Sequence, residues 1–373
     1  MSSRCLASVH CSSTFTIFLS TSGELYSCGS HLEGALGQNK DLVPIPSKIP
    51  SLQNIIAISC GTNHSICLDN EGSVFTFGSN TKSQLGVTIK KKKRLFSQKL
   101  VKFTSTPQKV DLPPILQISS GDNFNVCLSE DRNLYIFGKI YYSKDCIQIP
   151  QRIESLENVD FVECGGNYII CKLLNNEIYA WGSNDECQIG FCECYVSEPT
   201  MPTRWPDNVV DIKCGKSHTL LLTSDGEVYS CGNNYDGQLG RLTCLDNEAM
   251  LVAIPELSEI IRIECGYDHS VCIDSNENIY MFGRNHYGQL GYETRCKKHP
   301  TLSNIIDISN GGWQTFVKTS NNEIYAFGNN QHSQLGIKTE ENCQRTPIRV
   351  FQDNEDIWSS NFHHPSKAKS ARK

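Results

Sequence analysis

Short apolar runs recur along the chain, each interrupted by Gly, Asn or Asp before a helical face can develop. Residues 210–232 show the pattern clearly. Val210-Asp-Ile-Lys-Cys leads to Gly215, His218-Thr-Leu-Leu-Leu-Thr follows, and Asp225-Gly226 separates these from Glu227-Val-Tyr-Ser-Cys and Gly232. β-rich runs on either side of an Asp-Gly pair predict a hairpin. Ser22-Gly23 and Glu71-Gly72 repeat the turn, and Asn175-Asn176, Asn276-Glu277-Asn278 and Asn321-Asn322 replace it with residues that tolerate positive φ. Val74-Phe-Thr-Phe and the run from Phe15 to Leu19 are apolar on both faces, as strands enclosed between neighbouring sheets must be. Pro44-Ile-Pro-Ser-Lys-Ile and Thr346-Pro-Ile-Arg-Val supply a further strand, and proline puts it at a sheet edge. Four short strands per unit and no helical periodicity predict an all-β chain.

The units repeat. Gly61/Gly78, Gly121/Gly138, Gly165/Gly182, Gly215/Gly232, Gly266/Gly283 and Gly311/Gly328 are each 17 residues apart, and Ser12/Gly29 opens the series with Ser in first place. A third Gly follows 8 residues later in every copy except the third. Copies begin 44 to 60 residues apart. A rigid frame with elastic spacers is one supersecondary unit copied seven times, and four strands per copy predict a seven-bladed β-propeller. Residues 1–361 are expected to form this single domain, with a basic insert at 87–106 and a basic, disordered tail at 362–373.

Composition narrows the chemistry. Of the 19 cysteines, Cys11, Cys60, Cys164, Cys214 and Cys265 immediately precede the first frame position, and Cys67, Cys127, Cys171 and Cys272 follow it by six. Thiols that alternate with small or aromatic residues at fixed repeat positions are core residues kept reduced in an intracellular compartment. The N-terminus already lies in repeat register and does not read as a signal peptide, and no apolar run is long enough to span a bilayer. The reading is therefore of an intracellular chain, cytoplasmic, nuclear or both. Net charge is −6, but residues 87–106 hold seven basic and no acidic side chains, and residues 362–373 hold four and none, leaving −17 on the remainder. Such a body is not that of a general nucleic-acid binder. The run Lys90, Lys91, Lys92, Lys93, Arg94 fits nuclear import or phosphate docking, and fits a solvated loop equally well.

No catalytic, metal or cofactor motif accompanies the repeat. His64, His218 and His269 share a frame position with Phe15, Phe124, Tyr168 and Gln314, and no metal site survives those replacements as a class. They are expected to be partly buried rings hydrogen-bonded to neighbouring backbone. Neither a phosphate-binding loop nor a zinc pattern is present; Cys187, Cys192 and Cys194 cluster without a CxxC or clustered histidines.

Ile58-Ser-Cys-Gly-Thr-Asn-His-Ser-Ile-Cys-Leu68, Tyr229-Ser-Cys-Gly-Asn-Asn-Tyr-Asp-Gly-Gln-Leu-Gly240 and Met281-Phe-Gly-Arg-Asn-His-Tyr-Gly-Gln-Leu-Gly291 resemble the signature of the regulator of chromosome condensation (RCC1) repeat family, and the resemblance covers nearly the whole chain. It implies a ring closed by both chain ends, with the N-terminal strand (residues 5–11) pairing in the blade that holds residues 323–350. It also implies action by protein contact. Two functions stand side by side: guanine-nucleotide exchange on a Ran-type small GTPase, and a non-catalytic interaction scaffold. Chromatin is a further contact the family allows, and the expected state is a monomer without a membrane partner.

Partner-binding residues follow from the same resemblance. Asp122, directly after Gly121, matches an acidic position that faces the GTPase, and His269 matches a histidine on that face. The third copy departs from the frame: after Leu134-Tyr-Ile-Phe-Gly138 comes Lys139-Ile-Tyr-Tyr-Ser-Lys-Asp-Cys-Ile-Gln-Ile149, without a Gln-Leu-Gly turn. The family's exchange factor carries its wedge in this blade, which marks Tyr141, Tyr142, Lys144 and Asp145 as contact residues. Asn167 stands where a second acidic residue is expected.

Overall fold

The computed structural model describes residues 6–30, 33–88, 102–141, 143–241, 247–292, 298–337, 339 and 341–350. Seven antiparallel sheets succeed one another along the chain, each strand pairing with its neighbour in sequence. They form blades 1 (residues 6–48), 2 (55–109), 3 (115–152), 4 (159–200), 5 (209–253), 6 (260–283) and 7 (305–350) of a β-propeller. Blade 6 has three strands among the described residues, with a single bridge from Tyr280 to Lys298 in the fourth place. No helix among the described residues is long and apolar enough to cross a membrane.

The innermost strands are Leu6–Cys11, Ile55–Cys60, Ile115–Ser120, Val159–Cys164, Val209–Cys214, Ile260–Cys265 and Ile305–Asn310. The second strands Phe15–Ser20, Phe124–Ser129, His218–Thr223 and His269–Asp274 are buried along their whole length, and the other three are buried at all but one residue. This is what double-sided apolar runs require, because each blade is sandwiched between two others. Alternating strand direction puts the first-to-second and third-to-fourth connections on one face, here the loop face. The Asp-Gly type turns and the links to the next blade lie on the opposite, turn face.

Two glycine positions of the frame have separate causes. The first lies beneath the ring three residues on, so a Cβ at Gly215 would collide with the His218 imidazole. The second has φ near +110° in every blade, +109° at Gly29 and +105° at Gly232, a region closed to side chains.

The chain ends do meet, but not by sharing a blade. Leu6–Cys11 pairs with Phe15–Ser20 inside blade 1, and blade 7 takes all four strands from residues 305–350. The predicted pairing of the N-terminal strand with residues 323–350 is therefore corrected. Cys343–Val350 already occupies the outer edge of blade 7, and the three-residue link from Cys11 to Phe15 makes local pairing the smaller entropy loss. The ring closes sideways. Phe18 meets Phe316 edge-on at 5.7 Å within an apolar cluster that spans blades 7 and 1. Thr16 Oγ1 donates to Gln334 O at 2.7 Å, Gln314 Nε2 to Ser12 O at 2.6 Å and Gln334 Nε2 to Ser13 O at 3.0 Å.

Candidate functional site

Three layers of side chains surround the axis, and each has its own chemistry. The first is a set of latches between blades. His218 Nε2 lies 2.9 Å from Ser270 Oγ, and that hydroxyl donates to Gln238 O at 2.8 Å. The serine proton is committed to the carbonyl, so the imidazole Nε2–H must donate to the serine. His269, Thr315 Oγ1 and Gln289 O repeat the relay between blades 6 and 7 at 2.9 and 2.8 Å. His64 and Asn125, with Gln84 O, form the equivalent between blades 2 and 3. All three rings are fully buried. Burial pushes His218 down to about 3 and His269 to about 4, which keeps both neutral.

The second layer lines the loop-face end of the channel, around a shallow pocket. Residues that follow the first frame position pass backbone bonds around the axis: Thr62 N to Asp122 O, Asp122 N to Gly166 O, Gly166 N to Gly215 O, Lys216 N to Tyr267 O and Tyr267 N to Gly312 O. Outside this ring lies an aromatic and charged cluster. Trp313 stands 5.8 Å from Tyr267 and 5.6 Å from Tyr287, ring to ring. Its indole N–H donates to Asp268 at 3.4 Å, and Arg284 bridges Asp268 and Asp236 at 3.5 and 3.8 Å. Lys216 Nζ sits 5.5 Å over the Tyr267 ring.

The third layer lines the channel below those bonds, where a cavity of about 370 Å³ opens. Ser59, Ser119 and Ser309 each bond the inner strand of the next blade, Ser59 accepting from Ser120 N and Ser119 from Cys164 N at 3.0 Å. At the same repeat position blades 4, 5 and 6 place Glu163, Lys213 and Glu264. Lys213 lies 3.6 Å from Glu163 and 3.8 Å from Asp211. Glu163 chiefly drives Lys213 upward, and burial lifts Glu264 to about 7. Among the described residues no three His, Cys, Asp or Glu side chains converge as a metal site requires.

The RCC1 repeat model matches residues 22–68, 71–128, 175–222, 225–273 and 321–362, and a second RCC1 repeat model matches 55–84, 209–238 and 260–289. The chain belongs to the RCC1 repeat family. Its RCC1 repeats are 28% identical over 299 residues to the human probable E3 ubiquitin-protein ligase HERC6, covering 76% of this chain and 24% of that protein. They are 27% identical to the Arabidopsis thaliana ultraviolet-B receptor UVR8, over 77% of this chain and 67% of the receptor. The chain thus spans about a quarter of the length of the human relative. In fold it is similar to yeast RCC1 (Prp20) in its complex with Kap60, at 18% identity and a TM-score of 0.78 over 95% of this chain and 85% of that one. Prp20p of Saccharomyces cerevisiae, whose structure was described with its binding properties to Gsp1p and histones, gives 0.76 at 19% identity, over 95% and 87%.

Within this RCC1-repeat ring the sequence-derived residues are distributed unevenly. Asp122 is on the loop face, but its carboxylate accepts from Thr62 Oγ1 at 3.0 Å and Asn167 Nδ2 at 3.2 Å, and burial raises its pKa. His269 is a latch, enclosed between blades 6 and 7. Tyr141, Lys144 and Asp145 are exposed in the connection 139–146 on the loop face. Ile147–Arg152 is the outer strand of blade 3, so the irregular segment ends before Ile149. Tyr142, the run Lys90–Arg94 and the tail 362–373 lie outside the described residues. The channel charges and the Trp313 cluster were missed by sequence reasoning. The signal was present: Glu163, Lys213 and Glu264 stand where three other copies have serine.

Proposed function

We propose that the chain works by non-covalent protein binding and that its loop face is the contact surface. The observation that carries this reading is the Trp313 cluster. Tryptophan, tyrosine and arginine concentrate binding energy at protein interfaces, and here Trp313, Tyr267, Tyr287 and Arg284 meet near the axis, each partly exposed. Tyr235, 79% exposed on the adjoining connection of blade 5, extends the surface outward. The acidic body favours a partner with a basic surface through steering. The full chain as bait in an extract of its source cell tests the proposal. Trp313→Ala and Tyr287→Ala should each cut recovery of the captured partner more than tenfold, while Glu71→Ala on the turn face leaves it unchanged. Equal recovery by all three variants would remove the loop face from consideration.

One arrangement favours a second reading, nucleotide exchange on a Ran-type GTPase. Asp122 and the connection that exposes Tyr141, Lys144 and Asp145 belong to the same blade and the same face. Exchange needs only that a partner's phosphate and metal site be deformed by docking, so a surface without catalytic groups suffices. Release of fluorescent GDP from small GTPases of the source cell decides it. Acceleration that is lost in a chain lacking 141–145 supports exchange; no acceleration leaves the binding platform.

A further inference from the structure

Blade 6 stops at three strands among the described residues, and the cause is a short link. In blades 1, 2 and 5 the residue after the outer strand donates its N–H to the first residue of the third strand: Ile49 to Leu25 O, Val110 to Val74 O and Ile254 to Val228 O, at 2.8, 2.9 and 2.8 Å. His299 does the same to Ile279 O at 2.8 Å, so the chain re-enters blade 6 in the usual register. Between the third frame glycine and this anchor the chain spends residues 38–48 in blade 1, 87–109 in blade 2 and 241–253 in blade 5, but only 292–298 in blade 6. Outer strands that follow such a glycine begin at least five residues past it, as Leu42 follows Gly37 and Tyr195 follows Gly190. The link therefore has length for the single pair of Tyr280 with Lys298 and little more.

The edge left behind is open. In the six other blades the second frame glycine pairs outward, with Val43, Thr104, Ile147, Val196, Glu248 or Gln344. Gly283 has no such partner among the described residues. It is partly exposed, whereas Gly29, Gly78, Gly138, Gly182, Gly232 and Gly328 are buried. The loop of the preceding blade faces the same space. A side chain added at Gly34 would strike Ser105 in the outer strand of blade 2, and one at Gly288 would strike Arg345 in that of blade 7. At Gly237, the equivalent place in blade 5, it would meet nothing within 4 Å among the described residues. A groove thus lies between the blade 5 loop and the blade 6 edge. Arg284, 3.8 Å from Asp236, joins this groove to the Trp313 cluster through Asp268.

Unpaired N–H and C=O groups along a strand are met by the backbone of another strand. The filled blades show what such a strand carries. Opposite the glycine four of them place a β-branched residue, Val43, Thr104, Ile147 or Val196, and both valines are buried there. We propose that blade 6 takes its fourth strand from a partner protein: an extended segment pairs antiparallel with Ile279–Gly283 and sets a valine, isoleucine or threonine against Gly283. The vacancy is a backbone template, so it selects an extended chain over a helix or a small molecule. It stands at the rim of the ring, and neither it nor the loop-face reading requires the other.

Display of random peptides on phage against the full chain tests this. Enriched peptides should share a β-branched position within an otherwise variable extended run. Methylating the peptide nitrogen that faces Gly283 should weaken binding about tenfold or more, and methylating the next one, which faces away, less than about threefold. A chain in which residues 241–253 replace 292–298 supplies its own fourth strand and should lose about tenfold or more in peptide affinity. Gly237→Gln fills the groove instead and should lose a similar factor with unaltered melting, because Ser83, Cys187 and Ser333 already hold that turn at φ of +60 to +63°. Trp313→Ala should keep affinity within about twofold, which separates this edge from the loop-face surface. No enrichment, indifference to the register of methylation, equal affinity for the filled variants, or loss of binding in Trp313→Ala would overturn the proposal. So would a dimer of the chain that excludes the peptides, or peptide binding only after removal of residues 351–373.

Discussion

The joint between blades 6 and 7 and the joint between blades 3 and 4 share a backbone and differ in chemistry. At the first, His269 reaches across to Thr315, which holds Gln289 O of the preceding blade. At the second, Phe124 stands in the histidine place, Ile169 in the threonine place, and the turn that would offer the glutamine carbonyl is missing. All three parts of the relay are gone together. Any one of them kept alone would be a buried polar group without a partner, costing about 1–3 kcal/mol. Polarity is recovered nearer the axis, where the Gln117 amide donates to Val162 O at 2.8 Å and accepts from Val162 N at 3.1 Å. The lesson is that the irregularity of copy three is a coordinated exchange across two blades and need not be a lesion in one.

The largest effect is expected from importing the apolar residue into the polar joint. Thr315→Ile strands His269 Nε2 and Gln289 O, and urea unfolding at pH 7 should show a loss of roughly 2–5 kcal/mol. A loss under 1 kcal/mol would mean that the relay contributes little. The reverse change, Ile169→Thr, buries a hydroxyl where no glutamine turn faces it and should lose about 1–3 kcal/mol. A stabilised variant would show that the two joints are interchangeable. Combining Thr315→Ile with His269→Phe should return about 1–2 kcal/mol relative to the sum of the single changes, since no imidazole is then stranded and only Gln289 O lacks its donor. Strict additivity would break the comparison at its root.

The smallest effect concerns pH. His218 is neutral when folded, pushed down to about 3, and has its ordinary value near 6.5 when unfolded. The unfolded chain therefore binds the extra proton in that window, so the contribution is complete above pH 6.5 and shrinks as pH falls towards 3. Between pH 7 and pH 5 the parent should lose about 1–2 kcal/mol more stability than His218→Gln. The apolar joint has no such term, and Phe124→Leu should follow the parent's slope.

The blades were legible because their cause is local: a ring that needs bare backbone beneath it, and a strand end that needs positive φ, both recur as glycine. The burial of the histidines was legible too, because aromatic residues alternate with them. Their partners were not, since Ser270 and Thr315 lie 52 and 46 residues away from His218 and His269. Ring closure was misplaced for a related reason. Pairing inside blade 1 and pairing across the seam use equally good strands, and what decides between them is the outer strand 343–350 filling the edge of blade 7. The channel charges were hidden by the habit of reading a repeat for what it keeps. Glu163, Lys213 and Glu264 mattered as departures from serine.

The sideways closure has a consequence in time. Thr16 and its acceptor Gln334 are 318 residues apart. At about 5–20 residues per second, the flank of blade 1 that carries Thr16 and Phe18 leaves the ribosome roughly 15–60 s before its cover is synthesised. Throughout that interval an apolar surface destined for the seam is open to any other nascent chain. Every blade is a local hairpin stack and able to form early, so the vulnerable moment in the life of this ring is its last joint.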